Sequence, residues 1–279
     1  MIPLHRPRSL EEACVLLDTL DQPMVYGGGT AIQILIKQGV LFAENFVDIS
    51  AVPGLDAIDE TAEGFRVGPM VTVRRMETDP RVRSRSGLAA QAYGRVANPR
   101  VRNTASVGGN IAHGDYRLDP PTALLALGAR IGLTSVRGSR TVPAREFFVD
   151  FQLTAVEPGE LITSIEVPAA PAGAGSAYVK LSSLSENDWP AASVAALLER
   201  GNDRQVLRLG VGALAPVPRF VDLDVTGSDP EQAVKAAVEA VDALLDPIPD
   251  VRGSVAYKRQ LGLVATQDAV RQAWKDGIA

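Results

Sequence analysis

The sequence of 279 residues predicts an α+β protein in which a larger N-terminal unit precedes a smaller C-terminal one. Three observations support this fold class. A strand, a glycine turn and a helix follow one another near the N-terminus, and a linker rich in proline, alanine and glycine covers 168–175. Beyond the linker, strand-like segments precede two helical ones, an order that is typical of α+β domains.

Two helices alternate with two short strands in the first lobe, which we place at about 1–55. The helices are predicted at 10–20 and 31–37, and the strands at 22–26 and 46–49. Ser9 caps the first helix, and Glu12 completes a capping box. Thr30 marks the N-terminal boundary of the second helix, and Gly39 marks its C-terminal stop.

The remaining segments fall on either side of the linker. In the second lobe, at 56–168, we predict strands at 65–73, 129–135, 141–142 and 161–167 and helices at 87–96 and 121–127. In the C-terminal unit, at 176–275, we predict strands at 178–181, 192–198 and 206–212 and helices at 231–245 and 255–274. The period of two over 206–212 is typical of a half-buried strand, and the apolar stripe over 231–245 is typical of an amphipathic helix.

Composition excludes several classes of protein. The net charge of −5 differs from the basic footprint of nucleic-acid-binding proteins. The single cysteine, Cys14, excludes an intrachain disulfide and an iron–sulfur cluster held by this chain alone, and two histidines are too few for a histidine-based metal site. Apolar stretches fall short of the roughly 20 residues of a membrane helix, and residues 1–7 lack the apolar core of a signal peptide. We therefore expect a cytoplasmic protein with no membrane span.

Two glycine motifs are the most informative part of the sequence: Tyr26-Gly27-Gly28-Gly29-Thr30 and Ser106-Val107-Gly108-Gly109-Asn110. Glycine lets backbone N–H groups approach an anion with no side chain in the way, and the helix after the first motif adds the partial positive charge of its N-terminus. Because a diphosphate has two phosphates that each need several donors, we expect both motifs to converge on the diphosphate of one dinucleotide. The second motif shows no helical period, so we expect a turn there.

The motifs of several common enzymes are absent from the sequence. Segments at Gly27, Gly173 and Gly210 begin like the nicotinamide fingerprint G-x-G-x-x-G, and each lacks the third glycine. The sequence contains neither a G-x-x-x-x-G-K-[ST] phosphate loop nor a G-x-S-x-G nucleophile elbow, and its carboxylates form no evident acid/base pair. A protein that binds a dinucleotide without substrate chemistry of its own is expected to act as a relay.

The second motif and its surroundings, 102–120, closely resemble the flavin motif of the medium, FAD-binding subunits of molybdenum hydroxylases. That family includes the flavoprotein parts of xanthine dehydrogenase and of aerobic carbon monoxide dehydrogenase. The first motif resembles the family's other pyrophosphate motif. Further segments resemble the family at 67–72, 159–168 and 253–259, so that the resemblance covers almost the whole chain.

The resemblance implies a two-lobed PCMH-type FAD-binding domain over 1–168, with lobes of about 1–55 and 56–168. A C-terminal domain like that of the carbon monoxide dehydrogenase flavoprotein would follow at 176–275. FAD would lie extended between the two lobes. The chain departs from the family's common pattern at three positions, where Tyr26 replaces an alanine, Ala31 replaces a polar residue and Leu184 replaces an arginine.

The resemblance also implies the cofactor-binding residues, and it implies neither catalytic residues nor metal ligands. They are Val25, Tyr26, Gly27, Gly28, Gly29, Thr30, Ala31, Ile32, Val96, Ser106, Val107, Gly108, Gly109, Asn110, Asp119, Ile162 and Lys180. The amides of both glycine motifs would hold the pyrophosphate, and the hydroxyls of Thr30 and Ser106 would be its side-chain donors. Asp119 would contact the nucleotide part, where a carboxylate suits ribose hydroxyls, and Ile162 and Lys180 would lie near the flavin.

Several of these cofactor-binding candidates also have a purely structural interpretation. Gly27 to Gly29 alone fit a tight strand-to-helix turn, and Asn110 fits a turn residue with a positive φ. Asp119 is also a candidate cap for the predicted 121–127 helix. Ile162 and Lys180 also fit strand residues with no cofactor contact.

The function that the resemblance implies is electron transfer. Electrons would pass from two [2Fe–2S] clusters on a small partner subunit to FAD and then to an external acceptor. A large partner would carry a molybdopterin cofactor at which the substrate is hydroxylated, and the assembly would be a dimer of heterotrimers. One alternative is a self-sufficient flavin oxidoreductase of the same flavin fold, and another is an interaction scaffold without a cofactor.

Overall fold

The computed structural model describes residues 2–276. The first lobe is built on a parallel three-stranded sheet in the order β1-β3-β2. Its elements are β1 (Leu4–His5), α1 (Leu10–Thr19), β2 (Pro23–Tyr26), α2 (Thr30–Gln38) and β3 (Asn45–Asp48). β3 lies between the other two strands, and a short 3₁₀ turn at Ile49–Ala51 follows it.

The second lobe is built on an antiparallel five-stranded sheet in the order β4-β5-β10-β6-β7. Its strands are β4 (Ile58–Glu60), β5 (Gly64–Val67), β6 (Arg130–Ser135), β7 (Gly138–Pro143) and β10 (Leu161–Pro168). A separate hairpin is formed by β8 (Phe148–Asp150) and β9 (Leu153–Thr154). The helices are α3 (Val73–Thr78), α4 (Pro80–Arg85), α5 (Gly87–Gly94), α6 (Pro99–Arg102), α7 (Val107–Ala112), α8 (Asp119–Leu127) and α9 (Ala144–Phe147).

The C-terminal part is an antiparallel four-stranded meander covered by two helices. Its elements are β11 (Gly175–Leu181), β12 (Ala192–Arg200), β13 (Gln205–Gly212), β14 (Arg219–Asp224), α10 (Pro230–Asp242) and α11 (Val255–Asp276). Asp229 and Gln232 form a complete capping box at the start of α10.

Helix α8 joins the second lobe to the C-terminal sheet. Every residue of α8 is buried, and the hydrophobic core of the second lobe includes Ala195 and Leu197 of β12. The backbones approach so closely that a Cβ added at Gly210 of β13 would overlap the carbonyl of Thr122. A glycine at this position of the strand therefore permits the contact.

The structure confirms the α+β class, and it corrects several local predictions. The strand expected at 65–73 ends at Val67, and Val73 instead begins α3. Ser9 caps α1 as predicted, but the Glu12 carboxylate accepts from the Arg8 amide and not from Ser9. The turn expected at 106–110 is largely the helix α7. Sequence patterns also missed β14 and the short helices α3, α4 and α6.

Candidate functional site

The two glycine motifs lie against each other between the lobes. A Cβ added at Gly27 would be 2.7 Å from the Ser106 hydroxyl oxygen, and one added at Gly28 would overlap the carbonyl of Thr104. Gly28 therefore allows the backbone of one motif to touch the backbone next to the other. The motifs converge, and the binding of one diphosphate by both of them stays a prediction.

The first motif presents free backbone donors. Gly29 has a φ of +69°, which glycine adopts without strain, and α2 begins directly after it. Within residues 2–276, the amides of 28–32 have no hydrogen-bond acceptor. These N–H groups and the positive end of the α2 dipole suit an anion such as a diphosphate.

The second motif uses most of its amides within the protein. The Val107 amide donates to Val71 O at 2.8 Å, the Gly108 amide to Pro69 O at 2.8 Å, and the Asn110 amide to Ser106 O at 2.9 Å. Protein carbonyls accept from the amides of Gly108 and Asn110 in this structure, and contact of these two amides with the pyrophosphate stays a prediction.

One backbone amide of the second motif, that of Gly109, can exchange its hydrogen-bond acceptor for a ligand. The Gly109 amide donates to the Ser106 hydroxyl at 3.2 Å, which is a long cap bond that a stronger acceptor can replace. A Cβ added at Gly109 would meet only the Ser106 hydroxyl oxygen, at 2.9 Å, whereas one added at Gly108 would overlap Pro69. Gly109 therefore faces an open side of the motif, and Gly108 packs against the protein.

The side chain of Asn110 also points to a missing partner. Its Oδ1 is buried, and no group of the described residues donates to it. Buried polar groups are nearly always hydrogen-bonded, so an unpaired one next to Gly109 fits a site completed by a ligand. Asn110 is helical with a negative φ, which rules out the interpretation as a turn residue with positive φ. The free amides of the first motif fit the diphosphate of FAD, whereas Asn110 Oδ1 is an acceptor and fits a donor such as a hydroxyl group of the cofactor.

Asp119 and Lys180 contact each other in a buried cluster between α8 and β11. Lys180 Nζ lies 3.0 Å from Asp119 Oδ2 and donates to Arg95 O at 2.9 Å. The Tyr178 hydroxyl donates to Asp119 Oδ1 at 2.5 Å. Burial raises the pKa of Asp119 to about 6, although the charge of Lys180 opposes that rise.

This cluster changes how two predicted residues are interpreted. Leu118, and not Asp119, is the N-cap of α8, so the prediction that Asp119 caps the helix is wrong. Both carboxylate oxygens of Asp119 have partners, and the Lys180 side chain has no exposed surface. Contact of Asp119 with the ribose and of Lys180 with the flavin stays a prediction. It requires the Asp119–Lys180 pair to open or to share its hydrogen bonds with the cofactor.

The other predicted residues are placed around this site. Val25 and Tyr26 end β2, and Tyr26 packs edge-on against Phe46 with ring centroids 5.7 Å apart. Tyr26 also lies over Gly29, where an added Cβ would overlap its ring. Thr30, Ala31 and Ile32 form the first turn of α2, and the buried Ile162 pairs with Leu133 in the sheet.

Val96 and His113 lie just after the ends of α5 and α7, respectively. The Val96 carbonyl accepts from Arg102 Nη1 at 2.9 Å, so it is occupied by a protein donor. His113 follows α7, and burial lowers its pKa. A neutral imidazole is therefore favoured at this position.

Sequence analysis missed a cluster of charged and aromatic residues beyond the second motif. Burial raises the pKa of Asp115, but the hydrogen bonds and charge of Arg117 more than offset this effect and lower it. The Arg117 guanidinium lies 4.3 Å from the centre of the Trp189 ring, and that of Arg252 lies 5.2 Å from it. Only Asp115 and Arg117 lie in the recognised motif, so no local pattern signals the contact with Trp189 and Arg252.

The described residues contain neither a membrane-spanning helix nor a cluster of metal-binding side chains. Among residues 2–276, no helix is long and apolar enough to cross a membrane. In the same part of the chain, no group of three histidine, cysteine or acidic side chains is placed to hold a metal ion.

The fold and the site define a dinucleotide-binding protein in which two lobes meet at paired glycine motifs. Comparison with known families identifies its class. The model of the FAD-binding domain in molybdopterin dehydrogenase matches residues 1–170. The chain belongs to this family, and it is a flavoprotein subunit of the molybdenum hydroxylase class of oxidoreductases.

Individual relatives support the same assignment. The nicotine 6-hydroxylase medium subunit of Paenarthrobacter nicotinovorans is 34% identical over 95% of this chain and 93% of its own length. The carbon monoxide dehydrogenase medium chain of Hydrogenophaga pseudoflava is 32% identical over 97% of this chain and 96% of its own length.

Solved structures agree with these relatives. A carbon monoxide dehydrogenase structure from H. pseudoflava matches with a TM-score of 0.92 at 31% identity, covering 99% of this chain and 98% of the other. Quinoline 2-oxidoreductase from Pseudomonas putida 86 matches with a TM-score of 0.91 at 25% identity, covering 100% and 99%. The predicted family and the predicted FAD cofactor are therefore confirmed.

Proposed function

We propose that this chain is the electron-transfer subunit of a three-subunit molybdenum hydroxylase in the cytoplasm. A small partner with [2Fe–2S] clusters passes electrons to FAD on this chain, and a large partner carries the molybdopterin cofactor. Two such heterotrimers form the complete assembly. The FAD-binding domain extends over 1–168, and a C-terminal domain extends over 176–275.

The observation that carries this proposal is the set of free amides over 28–32, placed against the second glycine motif. These amides bind the diphosphate of FAD, with the Thr30 hydroxyl beside them. The Gly109 amide and the Ser106 hydroxyl donate from the other lobe. A charged acceptor strengthens each of these hydrogen bonds.

The remaining predicted contacts lie along the rest of the cofactor. Asp119 contacts the ribose, and Ile162 and Lys180 lie near the flavin ring. When bound, FAD supplies the ability to accept electrons singly and to pass on two. The protein binds, orients and shields the cofactor, and the chemistry on the organic substrate takes place on the large partner.

The experiment that tests this function compares the isolated chain with the assembled complex. The chain is expressed alone, supplied with FAD, and offered NADH and small organic substrates. We expect a yellow protein with bound FAD and no efficient turnover of organic substrates, together with flavin reduction when the partner subunits and their substrate are added.

Two results would contradict the proposal. Efficient turnover of an organic substrate by the isolated chain would indicate a self-sufficient flavin oxidoreductase. A folded protein that never takes up FAD would indicate an interaction scaffold.

A further inference from the structure

The side chain of Tyr26 lies beside the free amides of the first glycine motif. A Cβ added at Gly29 would overlap the Tyr26 hydroxyl oxygen. The hydroxyl therefore lies against the Cα of Gly29, which stands in the chain between the free amides of Gly29 and Thr30. A hydroxyl at this position is within reach of a ligand that those amides bind.

Packing fixes the Tyr26 ring in this position. Tyr26 ends β2 and pairs with Asp48 of β3 in the parallel sheet. Its ring packs edge-on against the buried Phe46, with ring centroids 5.7 Å apart, and contacts Gly29. A side chain that is already held by its neighbours loses little further freedom when it bonds a ligand. The hydroxyl is thus positioned before the ligand arrives.

The Tyr26 hydroxyl has a proton that no protein group accepts. Within residues 2–276, its one hydrogen bond is accepted from Gln33 Nε2 at 3.5 Å, the outer limit for such a bond. A tyrosine hydroxyl can donate one hydrogen bond as well as accept. The neighbouring amides of 28–32 are donors too, so they cannot accept this proton. The hydroxyl therefore adds one donor to a set of donors, and such a set suits an anion.

We infer that the Tyr26 hydroxyl donates a hydrogen bond to the diphosphate of FAD. This inference rests on the proposed function, in which the amides of 28–32 bind that diphosphate. A hydrogen bond to a charged oxygen is shorter and roughly twice as strong as one between neutral groups. The alanine that is common at this position in the family has no hydroxyl, so the contact is specific to chains with a tyrosine here.

A structural role of the hydroxyl is the main alternative. Its one protein partner, Gln33, is an exposed residue, and their bond is long. Removal of the hydroxyl should therefore change the stability of the apo-protein little. The structural role predicts the opposite, which makes the melting temperature a readout that separates the two.

The test uses the full chain freed of cofactor and the variant Tyr26→Phe, which keeps the ring and removes only the hydroxyl oxygen. The Kd for FAD is measured by the quenching of flavin fluorescence, and ADP and inorganic pyrophosphate are then used as competitors. Tyr257→Phe is the matched control. Tyr257 lies on α11, is 47% exposed, and its ring also lies against a glycine, Gly253. The melting temperature of each apo-protein is measured in parallel.

We expect Tyr26→Phe to raise the Kd for FAD roughly 10-fold, the effect of one lost hydrogen bond to a charged group. Its melting temperature should equal that of wild type. Competition by ADP and by pyrophosphate should weaken by a similar factor, because both molecules contain the diphosphate. Tyr257→Phe should match wild type in every measurement.

Three outcomes would overturn the inference. The first is an unchanged Kd for FAD in Tyr26→Phe. The second is weaker FAD binding with unchanged competition by ADP and pyrophosphate, because the hydroxyl would then contact another part of the cofactor. The third is a lower melting temperature of the Tyr26→Phe apo-protein, which would indicate the structural role. A folded wild-type chain that binds neither FAD nor ADP would instead show that the proposed function itself is wrong.

Discussion

Replacing Gly109 with alanine separates cofactor binding from folding. The added methyl group meets only the Ser106 hydroxyl oxygen, at 2.9 Å, and this hydroxyl can rotate away. Gly109 is helical, and alanine is favoured over glycine within a helix by up to about 1 kcal/mol. Rotation of the Ser106 hydroxyl gives up its cap bond to the Gly109 amide, and the helix preference of alanine offsets this loss, so the stability of the apo-protein should change by no more than about 1 kcal/mol. The methyl group fills the open side of the motif, and the Gly109 amide can no longer approach a phosphate closely.

The expected cost is the loss of one hydrogen bond to a charged group. Such a bond contributes about 1.5–3 kcal/mol. This range corresponds to a roughly 10- to 150-fold increase in the Kd for FAD. Replacement by valine should have a larger effect, because its side chain extends further into the same space.

The assay is a titration of apo-protein with FAD, followed by the quenching of flavin fluorescence, with thermal unfolding of each apo-protein in parallel. Gly87→Ala is the control, because Gly87 begins α5 and an added Cβ there meets no atom of the described chain within 4 Å. An unchanged Kd for Gly109→Ala at equal apo-protein stability would remove Gly109 from the cofactor site.

Three further predictions concern the contact between the motifs and the buried ion pair. Gly28→Ala should destabilise the apo-protein by about 1–3 kcal/mol, because the new Cβ overlaps the Thr104 carbonyl; urea unfolding that matches wild type would refute this. The folded pKa of Asp119, about 6, exceeds its ordinary value of 3.8, so its contribution to stability is complete below pH 4 and is lost as the pH rises through 6. Relative to Asp119→Asn, the unfolding free energy of wild type should thus fall by about 2 kcal/mol between pH 4 and 7, and parallel pH profiles would contradict that reasoning. Lys180→Met removes the charge that lowers the pKa of Asp119, so this pKa should rise further; an NMR titration of the carboxyl group that shows no shift would count against the pair.

Local chemistry allowed most elements of the first lobe and of the C-terminal part to be predicted, with β1 and β14 as the exceptions. Ser9 caps α1, and Gly39 ends α2 with a φ of +69°, as the residue types indicated. The apolar stripe at 231–245 predicted α10, which ends slightly earlier, at Asp242. In these elements the preference of each short segment agrees with its place in the fold.

Long-range contacts explain where the sequence was misleading. The second motif carries two glycines in succession, which weakens any helical pattern. It forms α7 because the Val107 and Gly108 amides donate to the carbonyls of Val71 and Pro69, which come from a distant part of the chain. Asp119 has the residue type of a helix cap, but Tyr178 and Lys180 lie 59 and 61 residues away in sequence and bond its carboxylate instead.

The two glycine motifs look alike in sequence, but their backbone amides differ in hydrogen bonding in the structure. The first ends in a helix whose initial amides are free, so it can supply most of the charge stabilisation for a diphosphate. The second has amides that mainly hold its own helix in place. Positions 28 and 108 have no room for a side chain, because the protein backbone lies against Gly28 and Pro69 lies against Gly108. Gly109 instead borders open space. A glycine pair therefore indicates close approach of some group, and only the partners of its amides show whether that group is a ligand or the protein itself.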